Sequence, residues 1–110
     1  MKGFFTEIQW VPIDTLKPYE ANAKKHPPEQ VAKIAKSIQS FGFDQPIVVD
    51  QDMVIIKGHG RRLAALSLKL ETVPIIIRTD LSAAEVRASR IADNQTADAY
   101  WLMTNLMKEL

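Results

Sequence analysis

Residues 73–78 read VPIIIR, with Ile75, Ile76 and Ile77 in unbroken succession. A strand turns successive side chains to opposite faces, so an apolar run without alternation fits only where both faces are covered. The segment therefore predicts a central strand, and the rest of the chain must supply its neighbours. Residues 6–13, TEIQWVPI, alternate well enough for a first strand, with Pro12 placing it at an edge or marking its end. Residues 46–50, PIVVD, predict another short strand. Gln51-Asp52 reads as a turn, and Met53 to Ile56 as the return strand.

Helical spacing separates these strands. Pro28 suits a first helical position, and Val31, Ile34, Ala35, Ile38 and Phe41 recur on one face until Gly42 closes the helix. Residues 59–70 predict a second helix, with Leu63, Leu66 and Leu70 inward and Arg62 and Lys69 outward. Ser82 and Glu85 have the spacing of a capping box, with Leu81 and Val86 as its hydrophobic staple, so a third helix runs from about Ala83 to Asn94. Residues 14–28, DTLKPYEANAKKHPP, contain Pro18, Pro27 and Pro28 and no clean period, which predicts a long loop. A last helical segment, 97–110, carries Trp101, Leu102, Leu106, Met107 and Leu110. Its apolar pattern is expected to meet a partner or to continue into a longer protein. The class is α+β, a small mixed β-sheet packed with helices, formed by residues 1–96 with 97–110 as a separate C-terminal segment.

Composition narrows the chemistry. The 110 residues can bury one core without staples. With no cysteine, disulfides, a thiol nucleophile and thiolate metal sites are excluded. His26 and His59 alone do not make a histidine-rich zinc site. No stretch approaches the ~18–20 uncharged apolar residues of a membrane span, and MKGFFTEIQW lacks the apolar core of a signal peptide. The expected compartment is the cytoplasm. Lys and Arg total 14 against 13 Asp and Glu, a net charge of +1, so affinity for polyanions must come from local clustering.

The densest clusters are Lys24-Lys25-His26 and KGHGRR, Lys57 to Arg62, the latter on the predicted step from strand to helix. A helix N-terminus presents main-chain N–H groups and about half a positive charge, which suits phosphate or carboxylate. Gly58 and Gly60 have no Cβ to hold a ligand off the backbone, and Arg61 can bind phosphate oxygens through its planar fork. Cations at a helix start oppose its dipole unless an anion is present. A tight turn with solvated arginines accounts for the same letters, and His59 reads equally as a phosphate donor, a general base or a polar loop residue. In EVRASRIADNQTAD, residues 85–98, Arg87, Arg90 and Asn94 share a helical face. Asp93 and Asn94 offer hard oxygen ligands of the kind Mg²⁺ accepts beside substrate phosphates, while a solvated face ending in an Asn cap is the alternative. In NAKKH, residues 22–26, Lys24, Lys25 and His26 could reach over an anion or form plain surface.

The ordered series of segments resembles the ParB-like nuclease domain of the ParB/sulfiredoxin superfamily. VPIDTLKPYEANAKKH, VAKIAKSIQSFGFDQPIVV, IIKGHGRRLAAL and VPIIIR carry the similarity over nearly the whole chain. Its Gly-His-Gly-Arg and Arg-Ile-Ala-Asp-Asn boxes are most similar to a phage and mobile-element branch often fused to DNA methyltransferases. The resemblance implies a ParB/sulfiredoxin-like fold and, as in partition proteins, a nucleoside triphosphate (CTP or ATP) bound with Mg²⁺. It implies phosphate contacts from Gly58, His59, Gly60 and Arg61, with Lys24 in place of a loop arginine; in the function expected here, Lys24 and Arg90 close over the charge. It implies metal contacts from Asp93 and Asn94, where partition proteins have Glu-Asn. Departures are His59 and Gly60 where partition proteins have Glu-Arg, Ala97 where an arginine is expected, and no helix-turn-helix in these 110 residues. Sulfiredoxins carry their catalytic cysteine at the place of His59, which excludes that redox chemistry. Another branch phosphorylates serine with an acidic base, and Glu7, Glu20 and Asp44 stand in no recognisable motif for it.

The function expected is a nucleotide- and Mg²⁺-binding module of a DNA-associated protein, with slow hydrolysis if any. The alternatives are a metal-dependent DNA endonuclease and a non-catalytic docking or specificity domain of a methyltransferase. The segment 97–110 would then serve as a homodimer interface or as the junction to a fused methyltransferase domain.

Overall fold

The sheet is built around the apolar run. In the computed structural model, which describes residues 7–20 and 26–93, β4 (Thr72–Ile77) has a strand on each side. β1 (Gln9–Pro12) pairs with it antiparallel, from Gln9 opposite Ile75 to Pro12 opposite Thr72. β2 (Ile47–Val49) pairs with it in parallel, from Ile47 opposite Ile75 to Val49 opposite Ile77. β3 (Ile55–Lys57) lies antiparallel to β2. Among the described residues the order is β1-β4-β2-β3, a mixed sheet with Pro12 ending an edge strand as predicted. Pro74 sits within β4, where a proline would ordinarily break a central ladder. It is tolerated because pairing with β2 begins only at Ile75.

Ile47, Val49, Ile55, Val73, Ile75 and Ala65, each at 0% exposure, join Ile13 and Leu16 in one core. Burying each Val or Ile contributes about 1.5–3 kcal/mol, and β-branched side chains suit a pleated surface. The same short apolar runs thus define both the strands and the core.

α1 (Pro28–Phe41) begins at the predicted proline and ends on Gly42, whose φ of 86° no other residue adopts easily. It packs against α2 (His59–Ser67), which in turn packs against β2. α2 ends at Ser67, short of the predicted residue 70, because Lys69 turns the chain with φ 58°. Its inner face differs from expectation in part, since Leu70, just past the helix, packs against the core as expected. Ala64 and Ala65 are fully buried, whereas Leu66 is 41% exposed. Small side chains let the helix lie close to the sheet, which a leucine stripe would prevent.

The described start of the predicted loop, residues 14–20, is more ordered than its composition suggests. A 3₁₀ turn, Ile13–Thr15, is followed by the buried Leu16. Lys17 then pairs through its main chain beside β3, donating to Met53 O and accepting from Ile55 N–H, both at 2.9 Å. The return strand starts at Ile55 rather than Met53, because Met53 has φ 66°. Asp50 holds the turn: its Oδ1 accepts from the N–H of Asp52 at 2.9 Å and of Val54 at 3.0 Å.

The sheet, α1 and α2 belong to one compact unit, residues 1–80, and a helix at 83–93 belongs to a second, residues 81–110. That helix opens with the predicted capping box. Ser82 Oγ accepts from Glu85 N–H at 3.1 Å, and Glu85 Oε1 accepts from Ser82 N–H at 3.0 Å. The predicted helical segment 97–110 lies outside the described residues. Among those described, no helix is long and apolar enough to cross a membrane.

Candidate functional site

β3 delivers the chain to the start of α2 through one left-handed residue. Gly58, with φ 104° and ψ 25°, caps the helix without a side chain. The first helical bond runs from Arg62 N–H to Gly58 O at 3.0 Å. The amides of residues 59–61 therefore have no acceptor within the helix. No acidic residue stands in the first turn of α2, where Arg61 and Arg62 fall instead. An N–H-rich, positively polarised helix end with added cations has the chemistry of an anion site.

The two glycines are needed by the protein itself. A Cβ on Gly58 would lie 3.2 Å from Ile47 Cγ1 and 3.3 Å from both Ile47 Cα and Arg61 Nη1. A Cβ on Gly60 would lie 2.9 Å from Ile34 Cδ1 and 3.2 Å from His26 Nδ1. The space that the missing side chains open is thus filled by β2, α1 and His26. An anion would have to approach the amides from their N–H side.

Arg61 and His59 face inward. Arg61 Nη1 donates to Pro46 O at 2.9 Å and Nη2 to Gln45 Oε1 at 3.0 Å, tying the first turn of α2 to the approach to β2. Its fork is engaged within the protein, while its charge stays at the helix start. His59 is 3% exposed, and its Nε2 accepts from the main-chain N–H of Tyr19 at 3.0 Å. It is therefore neither a surface loop residue nor a side chain that meets solvent. The His26 ring stacks on it with centroids 6.4 Å apart and planes 17° apart. His26 Nδ1 is also hydrogen-bonded to Gln30 Oε1 at 3.1 Å. On the α1 side of Arg61 lies an open cleft of about 330 Å³, with Ile34, Ile38, Phe43 and Asp44 in its walls.

Gly58, His59, Gly60 and Arg61 are thus brought together. Arg90 and Asp93 belong to the second unit, on the helix at 83–93. Lys24 and Asn94 lie outside the described residues. Among the described residues no group of three His, Asp or Glu side chains is placed to hold a metal ion. Asp93 alone is a single carboxylate, which is compatible with Mg²⁺ that takes one or two carboxylates beside phosphate oxygens.

The residues that brace the site from outside its motif are Tyr19, Gln45, Pro46 and Ile34. Three of the contacts use a main-chain group or a methyl group, for which the sequence offers no chemical signal. Gln45 was legible only as the lead-in to a strand.

The profile of the ParB N-terminal domain matches residues 4–95. The ParB-like nuclease domain-containing protein YnaK of Escherichia coli (strain K12) is 42% identical over 76 residues, covering 69% of this chain and 87% of that protein. Against probable chromosome-partitioning proteins ParB from Rickettsia species the match spans only about 30% of their length. The C-terminally truncated chromosome-partitioning protein ParB of Caulobacter crescentus, complexed with CTP-gamma-S, superposes with a TM-score of 0.67 and 28% identity. That match covers 81% of this chain and 53% of the other. Sulfiredoxin of Arabidopsis thaliana superposes with a TM-score of 0.64 at 22% identity, covering 76% of this chain and 97% of that one, a likeness of fold alone.

Proposed function

This chain belongs to the ParB N-terminal domain family, and from that premise we propose that it binds a nucleoside triphosphate with its phosphates on the first turn of α2. The observation that carries the reading is the start of α2. It opens on a left-handed glycine with no side-chain cap, no acidic residue and two arginines in sequence. The related Caulobacter crescentus protein complexed with CTP-gamma-S supports the ligand class.

In this reading, phosphate oxygens accept from the amides of residues 59–61. Arg61 contributes chiefly through its charge, because its fork already holds Gln45 and Pro46. Mg²⁺ would neutralise phosphate charge, with Asp93 and Asn94 as its proposed ligands. Lys24 and Arg90 are proposed phosphate contacts, resting on their place in the sequence motifs. A role on DNA extends the proposal from the chromosome-partitioning relatives, of whose length this chain spans about 30%. DNA cleavage is the less favoured activity, since two-metal phosphodiester chemistry recruits several acidic ligands and no such cluster occurs among the described residues.

The test is thermal unfolding with CTP, ATP, GTP and UTP, each with and without Mg²⁺. At about 100 times its dissociation constant a ligand adds about 2.7 kcal/mol to stability, a readily visible rise in Tm. A rise with one nucleotide that needs Mg²⁺ is expected, and no rise with any of the four sinks the proposal.

A further inference from the structure

His59 offers a role that its position in a glycine turn does not suggest. The segment from Lys17 to Tyr19 runs beside β3, and Lys17 pairs there through Met53 O and Ile55 N–H. Two residues on, the N–H of Tyr19 is received by the ring of His59, at 3.0 Å. A side chain thus continues the pairing where the main chain of β3 has become the turn at Gly58. The same ring is backed by His26, which occupies the space that a Cβ on Gly60 would need.

The first turn of α2 is therefore braced from two directions. Arg61 ties it to Gln45 and Pro46, ahead of β2. His59 ties it to Tyr19, ahead of α1. Without such braces the turn would hang from Gly58, a residue type of wide conformational freedom. Anion binding by main-chain amides depends on those amides being held in place before the ligand arrives.

We infer that the His59 side chain is the positioning group of the phosphate site, fixing the amides of residues 59–61 by accepting the Tyr19 N–H, without the ring itself touching the ligand. The inference rests on the nucleotide reading and deepens it. The bond requires an unprotonated Nε2, so in the neutral ring the proton sits on Nδ1.

The experiment uses the full chain and CTP with Mg²⁺ as probe, replaced by whichever of ATP, GTP and UTP gives the largest Tm rise. Its variants are His59→Gln, His59→Asn and His59→Leu. A glutamine amide reaches to the place of Nε2, an asparagine amide only to that of Nδ1, and leucine keeps bulk without an acceptor. Each variant is compared at matched folding by its unliganded Tm, and histidine ring ¹⁵N spectra report the tautomer of the wild-type protein. We expect His59→Gln to bind nearly as wild type, and His59→Asn and His59→Leu to lose roughly tenfold, the worth of one hydrogen bond near 1.4 kcal/mol. Equal affinity in all three variants overturns the positioning role while leaving nucleotide binding intact. A ring proton on Nε2 overturns the contact itself. If the wild-type chain binds none of the four nucleotides, the reading beneath the inference fails first and takes it down.

Discussion

Gly58→Ala tests the turn on which the proposed site depends. Gly58 holds φ at 104°, where an L-residue brings its Cβ against the following carbonyl at a cost of about 1–2 kcal/mol. The new methyl would also lie 3.2 Å from Ile47 Cγ1 and 3.3 Å from Ile47 Cα. The side-chain atom can give way, but the Cα belongs to β2 in the middle of the sheet, so about 1 kcal/mol of overpacking is added. Restricting the unfolded chain returns about 0.4–1 kcal/mol. The net expectation is a loss of about 1.5–2.5 kcal/mol, or roughly 10 °C in Tm for a domain of this size. Chemical denaturation of the unliganded protein measures it directly. Gly42→Ala serves as the comparison, since Gly42 has φ 86° but nothing within 4 Å of its missing Cβ. If Gly58→Ala falls within about 0.5 kcal/mol of wild type, the ordinary range for surface changes, both the strained turn and the close approach to β2 are refuted.

Three further outcomes follow from individual side chains. Arg61→Ala should cost about 1–3 kcal/mol with no nucleotide present, because it abandons Pro46 O and Gln45 Oε1; Gln45→Ala should cost less and leave nucleotide-induced stabilisation in place, as paired melts would show. Asp50→Ala should lose about 1–2 kcal/mol by leaving the N–H groups of Asp52 and Val54 without their carboxylate, with Asp50→Asn recovering most of it in urea titrations. Ser82→Ala should cost about 1 kcal/mol and act locally, so amide exchange should quicken in the helix at 83–93 while the β2 and β4 amides keep their protection.

What could be read from the letters alone was whatever side chains encode. VPIIIR became the central strand because an unalternated run has nowhere else to go. Pro28 and Gly42 bounded α1 because each restricts or frees φ in one direction only. The capping box appeared as written because both of its partners are side chains three residues apart. Misreadings arose where the deciding group was main chain or where size outranked hydrophobicity. Lys17 joins β3 through its N–H and C=O, which any residue carries, so the long loop concealed a bridge. Leucine was expected on the inner face of α2, but proximity to β2 favoured Ala64 and Ala65.

The site shows the same division at closer range. Local sequence placed two glycines and the arginines at a helix start, and that much of an anion site is a local property. Whether such a start is a working cradle depends on how firmly its amides are held, and the holding contacts come from 40 residues away at Tyr19 and 15 and 16 away at Pro46 and Gln45. This changes how Arg61 is to be tested. An arginine both charged toward a ligand and bonded into the scaffold loses stability and affinity together when removed, so Arg61→Ala cannot separate them. Gln45→Ala can, because it loosens one arm of the guanidinium while leaving its charge in place. Affinity that survives this change would assign Arg61 to the ligand mainly through its charge. Affinity that falls with stability would make Arg61, like His59, part of the frame that holds the amides still.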